Sequence, residues 1–201
     1  SEPPVLKFNP VSVDKMPTFM DQPYLKMVDG EVYNLIYTDQ DLANVSEYGN
    51  YQLLNDIDLS SYDDENGWTP IPMFSGTLDG NGHTIKNLTI NSPSANDVGL
   101  FSIVASSGEV RNLTLDNPQV EGRQNVGALA GQNQGTIAKV GVNGGLVIGW
   151  SRVGGLVGEN AGVVGRKETG LIQEAYALAD VIGTNTNIGG LVGYFSRGTI
   201  Q

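Results

Sequence analysis

The 201-residue sequence has no cysteine, a single histidine and few charged side chains. The absence of cysteine excludes disulfides, thiolate nucleophiles and cysteine-based zinc sites. With one histidine, the chain cannot contain the His-Glu-x-x-His motif of a zinc metallopeptidase. Charged residues make up 16% of the chain. This is too little for the exposed faces of an amphipathic helix bundle, so a helical fold is not favoured.

The chain also lacks an excess of basic residues and any long apolar run. Its 22 acidic and 11 basic residues give a formal net charge of −11, which repels nucleic acids and anionic membranes. No apolar run reaches the roughly 18 residues of a membrane span, and no basic-then-apolar N-terminal segment resembles a signal peptide. We therefore expect no nucleic-acid partner and no membrane insertion.

Glycine is abundant, with 27 residues, and it marks an internal repeat. Four segments align, and they are Val98-Gly-Leu-Phe101, Val126-Gly-Ala-Leu-Ala-Gly131, Val153-Gly-Gly-Leu-Val-Gly158 and Ile188-Gly-Gly-Leu-Val-Gly193. Their starts are separated by 28, 27 and 35 residues, and a glycine stands 18 residues before each of the last three, at Gly108, Gly135 and Gly170. Gly198 opens a further copy. The longest interval predicts a 27-residue copy with an eight-residue insertion at 162–169.

Alternating apolar and polar side chains follow the glycine of each copy, at 109–115, 136–142 and 171–177. Such alternation predicts short strands. Because a unit of this size cannot bury its apolar face alone, the copies must stack. The pattern predicts an all-β, parallel β-helix in which Leu129, Leu156 and Leu191 line the interior. A β-propeller is the competing arrangement, although its blades usually need about 40 residues and four strands.

The pattern is looser upstream. His83–Ile90 aligns with Gly108–Leu115 at an offset of 25 residues, which extends the repeats back to about Gly76. The segment 38–45 predicts a short helix, with Thr38 as N-cap and Asp41 in the capping-box position. Such a helix can cover the open end of the first repeat.

These features predict three parts of the chain. Residues 1–36 form a linker or the remnant of a preceding domain, 37–75 form an N-terminal cap with the first strands, and 76–201 form the repeats. The last residues, from Gly198 to Gln201, end inside an expected strand. We therefore expect that the array is truncated and continues into further repeats or domains of a longer chain.

The glycine-rich segments resemble the GLUG-type repeats, named for a Gly-Leu-x-Gly core, of large bacterial surface proteins. The resemblance runs through 127–131, 154–158 and 189–193, and the segments 51–59, 68–71 and 74–88 resemble the lead-in to such repeats. The resemblance implies a right-handed parallel β-helix in secreted, wall-anchored or adhesin-like proteins, and the short helix at 38–45 predicted above would be its N-terminal cap. Similar repeats occur in the N-terminal region of bacterial immunoglobulin A proteases.

No residue pattern indicates a catalytic or cofactor-binding site. The acidic residues Asp56, Asp58, Asp63 and Asp64 are the candidates for a calcium site, because Ca²⁺ takes six to eight oxygen ligands, but they lack EF-hand spacing and a solvent-exposed loop is the alternative. The single histidine, His83, is assigned a structural role. Lys86, Arg111 and Lys139 are predicted at comparable outward positions as a basic stripe with no acidic cluster beside it.

Four aromatic residues, Trp68, Trp150, Tyr176 and Tyr194, form either a sugar platform or packing at the corners of the repeats. The Asn-x-Ser/Thr sequences at Asn44, Asn87 and Asn112 are interpreted as ordinary polar positions of strands and loops.

The function that these patterns favour is a non-catalytic, extracellular module at the bacterial cell surface or secreted, acting as an adhesin or stalk. The expected partner is a host or cell-surface protein or glycan. Insertions on repeat proteins tend to lie on the binding face, so Arg166, Lys167 and Glu168 are the binding-loop candidates. The alternatives are an accessory region of a secreted immunoglobulin-degrading metallopeptidase, and a carbohydrate-binding or carbohydrate-active β-helix.

Overall fold

The computed structural model describes residues 24–62, 65–163 and 169–201. This part of the chain is all-β, with 24 strands and one short helix. The strands belong to four sheets. Apart from one N-terminal hairpin, the strand pairs are parallel, which contradicts the alternative of a β-propeller.

The described chain begins with an antiparallel hairpin of β1 (Leu25–Val28) and β2 (Glu31–Ile36). Asp29 and Gly30 form its turn with φ of 51° and 85°, as a two-residue hairpin turn requires. β2 also pairs in parallel with the next strand, in the register Tyr33↔Asn50. These strands lie inside the stretch that the sequence analysis assigned to a linker, and the Asp-Gly turn was the signal for them.

A single turn of helix, α1 (Asp39–Ala43), follows the hairpin. The Thr38 hydroxyl accepts a hydrogen bond from the Asp41 N–H at 3.1 Å, and the Asp41 carboxylate accepts one from the Thr38 N–H at 3.0 Å. This reciprocal capping box is the one that the sequence predicted. Leu42 is fully buried, so the helix packs onto the rest of the fold.

From Gly49 onward the chain passes repeatedly through the sheets, and we call each passage a rung. Rung 1 contains β3 (Asn50–Leu53), β4 (Ile57–Asp58) and β5 (Ile71–Phe74). Rung 2 contains β6 (Thr77–Asp79), β7 (Thr84–Lys86), β8 (Thr89–Asn91), β9 (Asn96–Val98) and β10 (Phe101–Val104). Rung 3 contains β11 (Glu109–Asp116), β12 (Gln119–Glu121), β13 (Gln124–Gly127) and β14 (Ala130–Asn133).

Rung 4 contains β15 (Thr136–Asn143), β16 (Leu146–Gly149), β17 (Ser151–Gly154) and β18 (Val157–Ala161). Rung 5 contains β19 (Leu171–Gln173), β20 (Tyr176–Ala177), β21 (Asp180–Gly183), β22 (Ile188–Gly189) and β23 (Val192–Arg197), and β24 (Thr199–Ile200) follows. Sheet 1 starts with β1 and β2 and collects the first strands of every rung. Sheet 2 is β8-β12-β16-β21, sheet 3 is β9-β13-β17-β22 and sheet 4 is β5-β10-β14-β18-β23.

The predicted repeat register is confirmed from rung 3 onward. Glu109 pairs with Thr136, an offset of 27 residues, and Thr136 pairs with Leu171, an offset of 35. The eight additional residues therefore lie between β18 and β19. The glycines that open each rung stack as a column. The residue after each glycine donates its N–H to the carbonyl of the glycine that opens the preceding rung, as Thr136 does to Gly108 at 2.9 Å.

The predicted alignment of His83–Ile90 with Gly108–Leu115 is wrong. In the structure Ile85 pairs with Leu115, and Leu78 pairs with Val110. The residues 80–83 form an additional turn in rung 2, held by the Gly82 N–H, which donates to the Asn112 carbonyl at 2.9 Å. The two segments therefore have similar sequences, but they do not pair with each other in the predicted register.

The inward side chains form one continuous apolar core. Phe74 and Phe101 stack on successive rungs with ring centroids 5.1 Å apart. Leu129 and Leu156 are fully buried, as predicted. At one corner the core is polar, because the Asn133 amide donates to the Asn160 side-chain oxygen at 2.8 Å and both residues are fully buried.

The last glycine of each repeat motif has a packing role that the sequence pattern alone does not show. A Cβ atom at Gly131, Gly158 or Gly193 would collide with the sheet 3 backbone of the preceding rung, at Asp97, Asn125 and Val153 respectively. Sheets 3 and 4 therefore meet at a corner with no room for a side chain. This close approach explains why the repeat motif ends in glycine.

Candidate functional site

The described calcium candidates bind donors of the protein itself. The Asp56 carboxylate accepts hydrogen bonds from the Thr84 N–H at 3.0 Å and lies 3.0 Å from the Lys86 ammonium. Two hydrogen bonds lower the pKa of Asp56, and the one from the Thr84 N–H has a larger effect than the one from Lys86. Asp58 accepts from the Asn87 amide at 2.9 Å, which lowers its pKa. A calcium role for Asp56 and Asp58 stays a prediction.

The other two calcium candidates, Asp63 and Asp64, lie outside the described residues. Within the described ranges, no three acidic or histidine side chains come together as a set that could hold a metal ion. His83 lies 3.3 Å from Asp56 through Nδ1, at the added turn of rung 2.

The predicted basic stripe is not formed. Arg111 pairs across the sheet with Ala138, so Lys139 shares its register position with Asn112 instead. Lys86 pairs with Asp116, several residues along the strand. Each cation also lies beside an acidic group. Lys139, for example, is 4.0 Å from Glu174.

Arg111 belongs to an ionic network on sheet 1. Its guanidinium lies 3.2 Å from Asp79 and 3.0 Å from Glu109, and it donates to the Tyr33 hydroxyl at 3.0 Å. Burial opposes ionisation of Asp79, but hydrogen bonds from Asn112, the Asn81 N–H and Arg111 outweigh it and lower its pKa. The network joins the N-terminal hairpin to rungs 2 and 3.

The four aromatic candidates do not form one platform. Trp68 is 2% exposed and packs edge-on against Tyr62 with centroids 4.8 Å apart. Trp150 lies at the corner between sheets 2 and 3, with the Arg123 guanidinium 5.6 Å from its ring. Tyr176 lies on sheet 1 and Tyr194 on sheet 4.

A second ionic cluster, which the sequence analysis missed, lies at the corner of sheets 3 and 4. Arg152 has a positive φ of 54°. Its guanidinium lies 2.8 Å from the carboxylate of Glu159, which is 8% exposed, and 4.9 Å from the centre of the Tyr194 ring. It also reaches the Asn125 side chain of rung 3 at 3.5 Å. The cluster therefore ties rungs 3, 4 and 5 together.

The predicted binding-loop residues Arg166, Lys167 and Glu168 lie outside the described residues. The two ends of the insertion meet at one corner, because the Val163 N–H donates to the Thr169 hydroxyl at 2.8 Å. A Cβ atom at Gly162 would collide with the Thr169 carbonyl and lie 3.2 Å from Gly198. The two ends of the insertion thus lie at the glycine column, and the pairing of β18 with β23 shifts register beside them, between Asn160 and Ala161.

A shallow groove runs along the outward side of sheet 2. Its lining includes Thr89 and Asn91 of β8, Gln119 and Glu121 of β12, and Leu146 and Ile148 of β16. The residues between these pairs, Ile90, Val120 and Val147, are buried in the core. The sequence signal for this groove was the change of the outward residues from polar to apolar between rungs 3 and 4.

The described helix has five residues, so this part of the chain contains no helix that could cross a membrane. No family model matches the chain. Halomucin from Haloquadratum walsbyi is 42% identical over 135 residues, which is 62% of this chain and 1% of halomucin. An Evansella cellulosilytica protein named as a Gly-rich membrane protein is 42% identical over 121 residues, which is 54% of this chain and 14% of that protein.

The chain therefore spans only a small part of the curated relatives that it matches. A crystal structure from Bacteroides ovatus, of a protein assigned as an immunoglobulin A1 protease, has a TM-score of 0.63 and 20% identity. The match covers 82% of this chain and 62% of the other. At this level of identity the likeness shows a shared fold.

Proposed function

We propose that this chain is a non-catalytic segment of a bacterial cell-surface or secreted protein, in which it acts as a rigid stalk or adhesin. The observation that carries the proposal is the difference between the two sides of the strands. Inward columns repeat from rung to rung, as in Val126 and Val153, whereas the outward position of Glu121 becomes Ile148 and then Ile182. The regular positions serve stacking, which leaves the outward side chains for partners.

We also infer that the rungs form a right-handed parallel β-helix of the GLUG type, with α1 as part of its N-terminal cap. In its favour, rungs 2 to 5 pass through sheets 1 to 4 in the same order, and connections between parallel strands are right-handed in about 98% of cases. The burial of Leu42 of α1 is what a cap requires. A crystal structure with left-handed connections would overturn this inference.

The two relatives support a surface location. One is named halomucin and the other a Gly-rich membrane protein, and both names point to the outside of a cell. The partner that fits such a location is a host or cell-surface protein or glycan. The net charge of −11 disfavours nucleic acid.

The test is surface labelling of the source cells. An antibody raised against the 201-residue chain should label intact cells as strongly as permeabilised cells, and the purified chain should turn over neither immunoglobulin nor a panel of glycans. Labelling that needs permeabilisation would refute the surface role. Turnover by the purified chain would refute the non-catalytic assignment.

A second candidate is an accessory region of a secreted immunoglobulin-degrading metallopeptidase. The likeness to the Bacteroides ovatus structure, over 82% of this chain, favours it. The longer protein would then carry a His-Glu-x-x-His motif in another domain. Immunoglobulin cleavage by the longer protein, compared with and without this segment, distinguishes the two candidates.

A further inference from the structure

The outward side of sheet 2 changes its chemistry along the stack of rungs. In rungs 2 and 3 it presents Thr89, Asn91, Gln119 and Glu121. In the register of the sheet these positions become Leu146 and Ile148 in rung 4, and Asp180 and Ile182 in rung 5. Ile182 is 49% exposed. Outward side chains contact only their neighbours on the same face of adjacent strands, so burial in the core does not account for apolar residues at these positions.

Two carboxylates lie on either side of this apolar part. Glu121 stands one rung before Ile148, and Asp180 stands one rung after Leu146. Among the described residues neither carboxylate has a hydrogen-bond or ion-pair partner, unlike Asp56, Asp79 and Glu159. Glu121 is half-buried and Asp180 is exposed, and two such carboxylates beside an apolar surface offer negative charge to a cationic partner.

The spacing of the two carboxylates restricts the partner. Glu121 and Asp180 are two rungs apart, which is about 10 Å along the stack, and two residues apart along the strand direction, which gives about 12 Å in all. Positions i and i+7 of an α-helix are about 10.5 Å apart on one face, and i+3 and i+4 lie between them. Lysine or arginine side chains at i and i+7 can reach both carboxylates.

We propose that the outward side of sheet 2 binds a helix of a protein partner, where the groove is lined by Glu121, Leu146 and Ile148 and where Asp180 and Ile182 follow in the register of the sheet. The helix carries basic residues at i and i+7 and apolar residues at i+3 and i+4, which contact Leu146 and Ile148. This mode is the docking of an amphipathic helix in an apolar groove. The inference names the partner chemistry for the adhesive role proposed above, and it rests on that role.

A glycan fits the groove less well. Sugar rings stack on exposed aromatic faces, and the exposed aromatic residue at the adjoining corner, Trp150, already has the Arg123 guanidinium 5.6 Å from its ring centre. The groove itself offers the aliphatic side chains of Leu146 and Ile148 and the carboxylate of Glu121, and Asp180 lies one rung further along the sheet. Aliphatic surface flanked by unpaired negative charge complements a basic amphipathic helix.

The experiment uses the full chain and a labelled synthetic helical peptide of about 18 residues with Lys at i and i+7 and Leu at i+3 and i+4. Fluorescence anisotropy should show saturable binding. The double variant Glu121→Gln with Asp180→Asn should weaken it at least about tenfold, which corresponds to about 1.4 kcal/mol, and Ile148→Asn should weaken it similarly. The matched control, Asp29→Asn with Glu31→Gln in the hairpin, removes the same charge far from the groove and should change binding less than about twofold.

No binding, or equal loss in the groove and hairpin variants, would overturn the inference. Binding of a neutral oligosaccharide that Ile148→Asn abolishes, with peptide binding unchanged, would overturn it in favour of a glycan. If Ile148→Asn unfolds the protein, the two charge variants still decide the outcome. Surface labelling of intact cells is independent of the peptide, so failure of the groove and failure of the proposed function are distinguishable.

Discussion

The same five residues occur twice in this protein and meet two different environments. Gly154-Gly-Leu-Val-Gly158 lies in rung 4 and Gly189-Gly-Leu-Val-Gly193 in rung 5. In rung 4 the leucine and valine, Leu156 and Val157, are 0% exposed, whereas in rung 5 Leu191 and Val192 are only partly buried. Their backbones pair with each other in register, as in Val157↔Val192.

The difference shows that burial in this fold comes from the following rung and not from the local sequence. Rung 4 has rung 5 stacked on it, while in the described chain only the first strand of rung 5, β19, pairs with a following strand, β24. Rung 5 accordingly exposes Ile188 and Phe195 by 39% and 49%. Each rung completes the core of the rung before it, as expected of a repeat array.

The largest expected effect tests this directly with the two leucines. Leu156→Ala should lower the free energy of unfolding by about 3 kcal/mol, because it leaves a cavity in a closed core. Leu191→Ala should lower it by about 1 kcal/mol, because the side chain is already partly exposed. Urea denaturation of both variants measures the difference, and equal losses would show that rung 5 is as closed as rung 4.

The second effect concerns the middle glycines of the same two segments. A Cβ atom at Gly155 would collide with the Gly190 carbonyl and lie 2.8 Å from Ala177 Cβ, whereas a Cβ atom at Gly190 would meet nothing within 4 Å. Gly155→Ala should therefore cost about 1–3 kcal/mol. Gly190→Ala should be neutral or stabilising by a few tenths of a kcal/mol. A loss of stability in the second variant would indicate that something covers the end of rung 5.

The third effect is a pH dependence that distinguishes the closed rungs from rung 5. Asp79 shares a column with Arg111 of rung 3, and rung 5 has the uncharged Gln173 in that column. The pKa of Asp79 is lowered in the fold. Its contribution is therefore complete above its unfolded pKa of about 3.9 and is lost as the pH falls through the lower folded value.

We expect Asp79→Asn to cost about 1–2 kcal/mol at pH 7, because hydrogen bonds to a charged group are lost at a partly exposed site. The cost should shrink towards zero in strong acid. Gln173→Leu is the control and should show a cost that does not vary with pH. Stability measured by urea denaturation between neutral and acidic pH tests this, and a pH-independent cost for Asp79→Asn would contradict it.

The smallest expected effect on stability is that of deleting 162–169. The deletion joins Asn160-Ala161 to Gly170. The resulting segment has the same length as Asn133-Gln134-Gly135 of the preceding rung, with asparagine and glycine at the same positions. The melting temperature should change by no more than a few degrees. Binding of the cell-surface partner should fall if Arg166, Lys167 and Glu168 contact it, and unchanged binding would refute the binding-loop hypothesis.

The strands of rungs 3 to 5 were predictable because alternation and glycine position are local properties of the chain. The strand at 109–115, for example, is almost the whole of β11. The register of rungs 1 and 2 was not predictable, because the turn at 80–83 adds residues that have no counterpart in rung 3. The misplaced basic stripe followed from the same error, since it aligned Lys86 with Arg111.

The groove of sheet 2 and the cluster at Arg152 could not be derived from the repeat alone. Both depend on which residues of different rungs become neighbours, and the offsets between rungs range from 27 residues for Thr136 to 35 for Leu171. The only local trace of the cluster is that a repeat position occupied by Asp97, Asn125 and Asn187 holds an arginine in rung 4.

The amino-acid sequence by itself determined the strands, the 27-residue register and the place of the insertion, because backbone preferences and side-chain alternation act over a few residues. The tertiary structure alone decided which copies are buried, as the two Gly-Gly-Leu-Val-Gly segments demonstrate. It also decided which outward residues face one another across rungs. Burial in the core depends on neighbours that are 27 or more residues away in the chain, and no local pattern specifies them.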